Sequence, residues 1–231
     1  MQSTTRRASC RWATCILKCN DSVSLTTKET TMNTEQIAHP KLQHFGLTTS
    51  NLNEMINWYR KVVGMTVNHR ARIDGPQNSP WFSAAFVSND DCNHRIAMFE
   101  MPDLEVDPDK KRHARIQHVA FAYNTLDDLL GTYIRLKGEG ILPVMAADQG
   151  IQMVLYYCDP DQNSVELNVN NYSDEWIATE HLRNAQSNLA FVDPEKLVAA
   201  RKAGASAWEL HERAVAGEFM PDQPYDGRKL L

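Results

Sequence analysis

Three side chains, His44, His118 and Glu166, have the types and spacing to hold one divalent metal ion. His44 lies in LQHFGLTTS (42–50) and His118 in RIQHVAFAY (115–123), two stretches that alternate like half-buried strands. Glu166 lies in NSVELNV, where Val165, Leu167 and Val169 face one way and Glu166, Asn168 and Asn170 the other. A single strand histidine is more often a hydrogen-bonded core residue, and a single strand glutamate more often faces water. What favours ligation is that the two histidines fall 74 residues apart, at equivalent places of a repeated unit. Two histidines and one carboxylate leave coordination positions open, which suits non-haem Fe(II) and also Mn(II).

The repeated unit must position them. After the first strand, LNEMINWYRKVVG places Met55, Trp58, Tyr59 and Val62 at helical spacing, with Asn51 or Asn53 as cap and Gly64 as stop. Strand-like MTVNHRARI, WFSAAFVSND and HRIAMFEM follow, separated by turn-rich DGPQNSP and NDDCN. The order then recurs. RIQHVAFAY precedes a helix over 125–140 capped by Thr125, and then ILPVMA, GIQMVLYYCDPD and NSVELNV. This reads as an α+β fold of two paired βαβββ modules, 41–101 and 115–170, that form a curved sheet around a metal cleft. Residues 171–231 read as a helical C-terminal tail, with helices over SDEWIATEHLRNAQ and over DPEKLVAARKAGASAWELHERAVAGEF, packing on the core or on a partner subunit.

The first 31 residues differ: Arg6, Arg7, Arg11, Lys18 and Lys28 stand against only Asp21 and Glu29. Such a leader is either an organelle transit peptide or an extension upstream of a start at Met32, and in both cases lies outside the fold. The net charge of −5 argues against a phosphate-driven nucleic-acid binder, and no apolar run is long enough to span a bilayer. Five cysteines without a CxxC pair suit a reducing compartment, so the expected location is the cytoplasm.

Taken together, HFGLTTSNLNEMINWYRKVVGM, QHVAFAYNTLDDLL and DPDQNSVELNV resemble the vicinal-oxygen-chelate superfamily, which includes glyoxalase I, antibiotic-resistance proteins and type I extradiol dioxygenases. The resemblance covers residues 41–170 and implies that His44, His118 and Glu166 are the metal ligands. Its extradiol branch carries a His-x-x-Ala-Leu-like segment, read here as His94-Arg95-Ile96-Ala97-Met98, and a Tyr ten residues before the ligand Glu, here Tyr156. The resemblance implies that His94 moves protons and that Tyr156 contacts the substrate. Ala97 stands where the glyoxalase branch has a ligating Glu. One departure is that extradiol members usually have a further His shortly before the Tyr, where this chain has Gln149 and Gln152. Gln149 then becomes a substrate-binding residue.

The expectation is a one-domain extradiol-type dioxygenase that uses Fe(II), a small aromatic diol and dioxygen, assembled as a homodimer. One rival is a glyoxalase-like isomerase or lyase on Zn(II), Ni(II) or Mn(II), with Glu100 as a fourth ligand. Another is a non-catalytic metabolite-binding protein of the same fold. His69, His113 and His211 read as having no functional role, and Trp81, Phe82 and Phe86 as an aromatic pocket or ordinary core.

Overall fold

A computed structural model of the chain describes residues 37–74, 81–105, 107–184, 189–226 and 228. The leader, the expected turn over 75–80 and the last residues of the chain therefore fall outside the described residues. Residues 37–41 have no regular structure, and all described elements belong to the unit that begins at Leu42.

In the first module, β1 (Phe45–Thr49) runs into α1 (Leu52–Val63). The Asn51 side chain accepts a hydrogen bond from Glu54 N, satisfying one of the helix's unpaired N–H groups. Gly64 ends the helix at φ 71°, a left-handed conformation that favours glycine. Next come β2 (Thr66–Ile73), β3 (Phe82–Ser88) and β4 (Ile96–Glu100), in the sheet order β1-β4-β3-β2 with β1 and β4 parallel. The second module repeats this as β5 (His118–Tyr123), α2 (Leu126–Gly138), β6 (Met145–Asp148), β7 (Gln152–Cys158) and β8 (Ser164–Asn170). Its sheet runs β5-β8-β7-β6-β9, the last strand (Ala190–Phe191) being supplied by the tail. The paired βαβββ modules are thus present, as two hydrogen-bonded sheets of four and five strands.

Each strand has two faces. Met55, Tyr59 and Val62 of α1 and Leu129, Tyr133 and Leu136 of α2 share one core with Ile96, Met98, Leu155 and Leu167. The opposite faces carry the candidate chemistry. A buried bond ties the modules together: Tyr59 Oη donates to Asp159 Oδ2 at 3.1 Å, and Asp159 also accepts from Asn163 N and Nδ2. Burial and the nearby carboxylate push the Tyr59 hydroxyl well above its ordinary pKa, so it stays a donor. Tyr59→Phe leaves a buried carboxylate oxygen short of a partner and is expected to cost about 1–3 kcal/mol. Chemical denaturation measures this, and an unchanged midpoint would remove the bond from the account.

Several boundaries differ from expectation. β6 begins at Met145 instead of Ile141, because pairing with β7 starts at the bond from Val144 N to Tyr156 O and Pro143 has no N–H to extend it. The long tail helix is two, α4 (Pro194–Lys202) and α5 (Ala207–Val215), broken at Gly204 (φ 103°) and restarted by a capping box at Ser206 and Glu209. The preceding helix α3 covers Glu175–Asn184, and the expected residues 185 and 186 lie outside the described ones. Tail and module pack together, α4 against α2, and α5 against β6 and β9.

Candidate metal centre

The second module builds one half of the site. In the β5–β8–β7 register Ala120 lies beside Glu166, and Glu166 beside Tyr156, so His118, Glu166 and Tyr156 share one face. Glu166 is only 4% exposed. Its Oε1 accepts from Asn168 Nδ2 at 2.7 Å, and its Oε2 lies 3.4 Å from His118 Nε2. A buried carboxylate flanked by Val165 and Leu167 is costly unless a cation or donors compensate it. The Tyr156 ring meets His118 edge-on at 5.6 Å, and Gln149 Nε2 donates to its hydroxyl at 3.2 Å. Burial and the hydrogen-bonded Glu166 carboxylate raise the Tyr156 hydroxyl far above its ordinary range, so the phenol keeps its proton.

The first module builds the other half. His44 stands immediately before β1, not mid-strand, because pairing with β4 begins at Phe45 and Ile96. Its ring lies 4.2 Å from that of His94, which meets Phe86 edge-on at 5.2 Å. Phe99 and Phe82 continue this aromatic wall. Partial burial and the neighbouring His44 lower the His94 pKa. Arg95 braces the segment, donating to Gln43 O at 3.0 Å and pairing with Asp90 at 2.7 Å, which holds the Asp90 carboxyl down at about 2.

His44 and His118 each line a cavity shared with the other module. His44 lines a cavity of about 550 Å³ with Ala120 and Ala122 of β5. His118 lines one of about 390 Å³ with Gly46 and Thr48 of β1. Each histidine therefore shares a cavity with the edge strand of the other module. Among the described residues, no three His, Cys, Asp or Glu side chains converge into a finished metal nest. His118 and Glu166 come together, and His44 comes together with His94. The buried carboxylate facing an imidazole nitrogen is a donor set that fits a divalent cation.

Other candidates fall elsewhere. Glu100, across from buried Thr49, accepts from Leu52 N at 3.0 Å and so caps α1. Ala97 sits beside Gly46. His69 is exposed against Phe86, Trp81 is exposed beneath Arg72, and His113 pairs with Asp107 in a loop before β5. Two residues passed over in the sequence have definite partners. Asn168 orients Glu166; strand alternation placed it on that face without showing the bond. His211 is buried at 6% with Nδ1 2.8 Å from Asp148 Oδ2, a contact 63 residues apart that local periodicity cannot show.

Residues 41–167 match the family model "Glyoxalase/Bleomycin resistance protein/Dioxygenase superfamily", a span that holds His44, His94, His118, Tyr156 and Glu166. The chain belongs to this superfamily. Biphenyl-2,3-diol 1,2-dioxygenase 3 of Rhodococcus globerulus is 32% identical to it over 77% of this chain and 90% of that one. Biphenyl-2,3-diol 1,2-dioxygenase 2 of the same organism is 31% identical over 81% and 95%. Among solved structures, a glyoxylase/bleomycin resistance protein/dioxygenase domain from Frankia sp. EAN1pec aligns with a TM-score of 0.49 and 17% identity, over 60% of this chain and 97% of that one. The superfamily match stops at Leu167, and β9, α4 and α5 lie beyond it. Among the described residues no helix is long and apolar enough to cross a membrane.

Proposed function

We propose that the chain is an extradiol-type dioxygenase, which uses Fe(II) held by His44, His118 and Glu166 to open the ring of a catecholic aromatic diol. The observation that carries this reading is the buried Glu166 carboxylate, shared between an imidazole and a phenol that keeps its proton. The two dioxygenase relatives from R. globerulus support the same class of substrate.

Iron(II), when bound, supplies chelation of the two vicinal oxygens and passes electron density from the ring to dioxygen. Everything else falls to the chain. Tyr156 offers its retained proton as a hydrogen bond to a diol oxygen, and Gln149 fixes the direction of that hydroxyl. His94, beside His44, accepts and returns a proton near the reacting oxygens. Phe86 and Phe99 give the aromatic ring an apolar wall that keeps water away. The carbon–carbon bond beside the diol breaks, and both atoms of dioxygen enter the product. The bond from Leu52 to Glu100 counts against the rival that makes Glu100 a fourth ligand. A homodimer belongs to this reading.

The test is dioxygen uptake by protein reconstituted anaerobically with Fe(II), given biphenyl-2,3-diol and a series of monocyclic catechols. Uptake matching diol consumption is the expected result. Tyr156→Phe is expected to lower kcat/KM by about 10²–10⁴ while retaining iron. No uptake with any diol would end the proposal.

A further inference from the structure

Each proposed histidine ligand follows a glutamine, as Gln43-His44 and Gln117-His118. Each glutamine lays its side-chain oxygen on the Nδ1 of the next residue's ring: Gln43 Oε1 lies 2.5 Å from His44 Nδ1, and Gln117 Oε1 contacts His118 Nδ1. An amide oxygen only accepts, so a neutral imidazole must carry its hydrogen on Nδ1 and its free lone pair on Nε2. His118 Nε2 is the atom that faces Glu166 Oε2 at 3.4 Å.

Two further facts bear on the arrangement. Within a strand, neighbouring side chains point to opposite faces, which would keep a glutamine off the ring beside it. Both pairs avoid this at strand starts: Gln43 and His44 precede β1, and Gln117 precedes β5, whose first residue is His118. The orientation of the first glutamine is also held from outside. Its Nε2 donates to Asn93 Oδ1 at 3.3 Å, which turns Oε1 toward His44, and Asn68 Nδ2 anchors Asn93 O at 2.8 Å.

We propose that Gln43 and Gln117 are positioning residues that select the Nδ1–H tautomer of His44 and His118, presenting Nε2 of each to a metal ion. This rests on the ligand assignment made under the proposed function and adds the groups that orient those ligands. Histidine ligands more often lean on a carboxylate or a backbone carbonyl. A neutral amide has a consequence for substrate class. Two neutral imidazoles, one carboxylate and a divalent cation leave a single positive charge, so the centre attracts an anionic diolate. Carboxylates in place of both glutamines would make it repel one.

The experiment uses the full-length protein, with Fe(II) as the binding probe and a catechol with dioxygen for KM. Long-range nitrogen–proton NMR of metal-free protein labelled at histidine is expected to show the Nδ1–H tautomer at His44 and His118. Gln117→Leu is expected to lose that preference at His118 only, and to weaken Fe(II) binding about 10–100-fold in competition with a chromogenic chelator under anaerobic conditions. Gln117→Glu should keep the tautomer and restore binding of the metal, while raising KM for an anionic diol. A merely structural role would not separate metal affinity from KM in this way. Gln43→Leu provides an independent copy of the test at His44, should Gln117→Leu fold poorly. Wild-type affinity and an unchanged tautomer in both leucine variants, with metal lost in His118→Ala, would overturn the role of the glutamines and leave the ligands standing. Metal retained in His118→Ala would instead overturn the ligand assignment, and this proposal with it.

Discussion

Glu166→Gln is expected to abolish tight Fe(II) binding and with it all dioxygen uptake, while leaving the metal-free protein at least as stable as the wild type. The carboxylate sits 4% exposed in a strand of apolar neighbours. One oxygen is held by Asn168, and the other lies 3.4 Å from His118. Glutamine fills the same volume and still accepts from Asn168. What disappears is the negative charge that a divalent cation needs and that the metal-free protein must bury at a cost. Affinity should therefore fall by more than the roughly 10–100-fold typical of losing an outer hydrogen-bond partner. Metal affinity and metal-free stability move in opposite directions only if the charge is there for a cation. Anaerobic metal titration and urea unfolding of the metal-free protein read the two quantities. A variant that keeps its iron, or one that is much less stable without it, would show Glu166 to be a structural carboxylate.

The legible parts of the molecule are those that local pattern controls. Asn51, Gly64 and Thr125 mark helix ends by chemistry that acts within four residues, and the structure uses all three as caps. The duplicated order of elements was readable because both modules repeat it around equivalent histidines. Parts set by tertiary contact were not. β9 is two residues long, Ala190 and Phe191, and exists because the edge of β6 offers them partners at Asp148 and Ala147. No alternation can announce so short a strand. The site divides the same way. Strand alternation put Glu166 and Asn168 on one face, and the 74-residue period pointed to the two histidines. That Gln149 reaches the Tyr156 hydroxyl depends on the turn between β6 and β7, and that Glu100 turns to α1 depends on where the helix begins. Neither is a matter of spacing.

The turn that carries Gln149 leads to the second large effect. Asp148, the last residue of β6, is fully buried and accepts from Gly150 N at 2.7 Å and from Asn171 Nδ2. His211 of α5 completes its shell at 2.8 Å, and Asn171 Nδ2 lies 3.0 Å from the same ring nitrogen. The tail thus grips the turn directly before the residue that orients Tyr156. His211→Leu keeps the apolar contacts of α5 but removes a partner of a buried carboxylate, and is expected to cost about 3 kcal/mol of stability. Because Gln149 follows Asp148, loosening the turn should also lower kcat/KM for the diol while Fe(II) content stays at the wild-type level. Adding Asp148→Asn puts a neutral group where a buried carboxylate would be short of one partner, so the double variant should regain part of the lost stability. Urea unfolding of the wild type, both single variants and the double variant gives the coupling between the two side chains. A coupling near zero, or a His211→Leu protein that loses iron along with activity, would mean that the tail does not act through this turn. A clear coupling with iron retained would place α5, which lies outside the matched domain, among the parts that set the geometry at Tyr156.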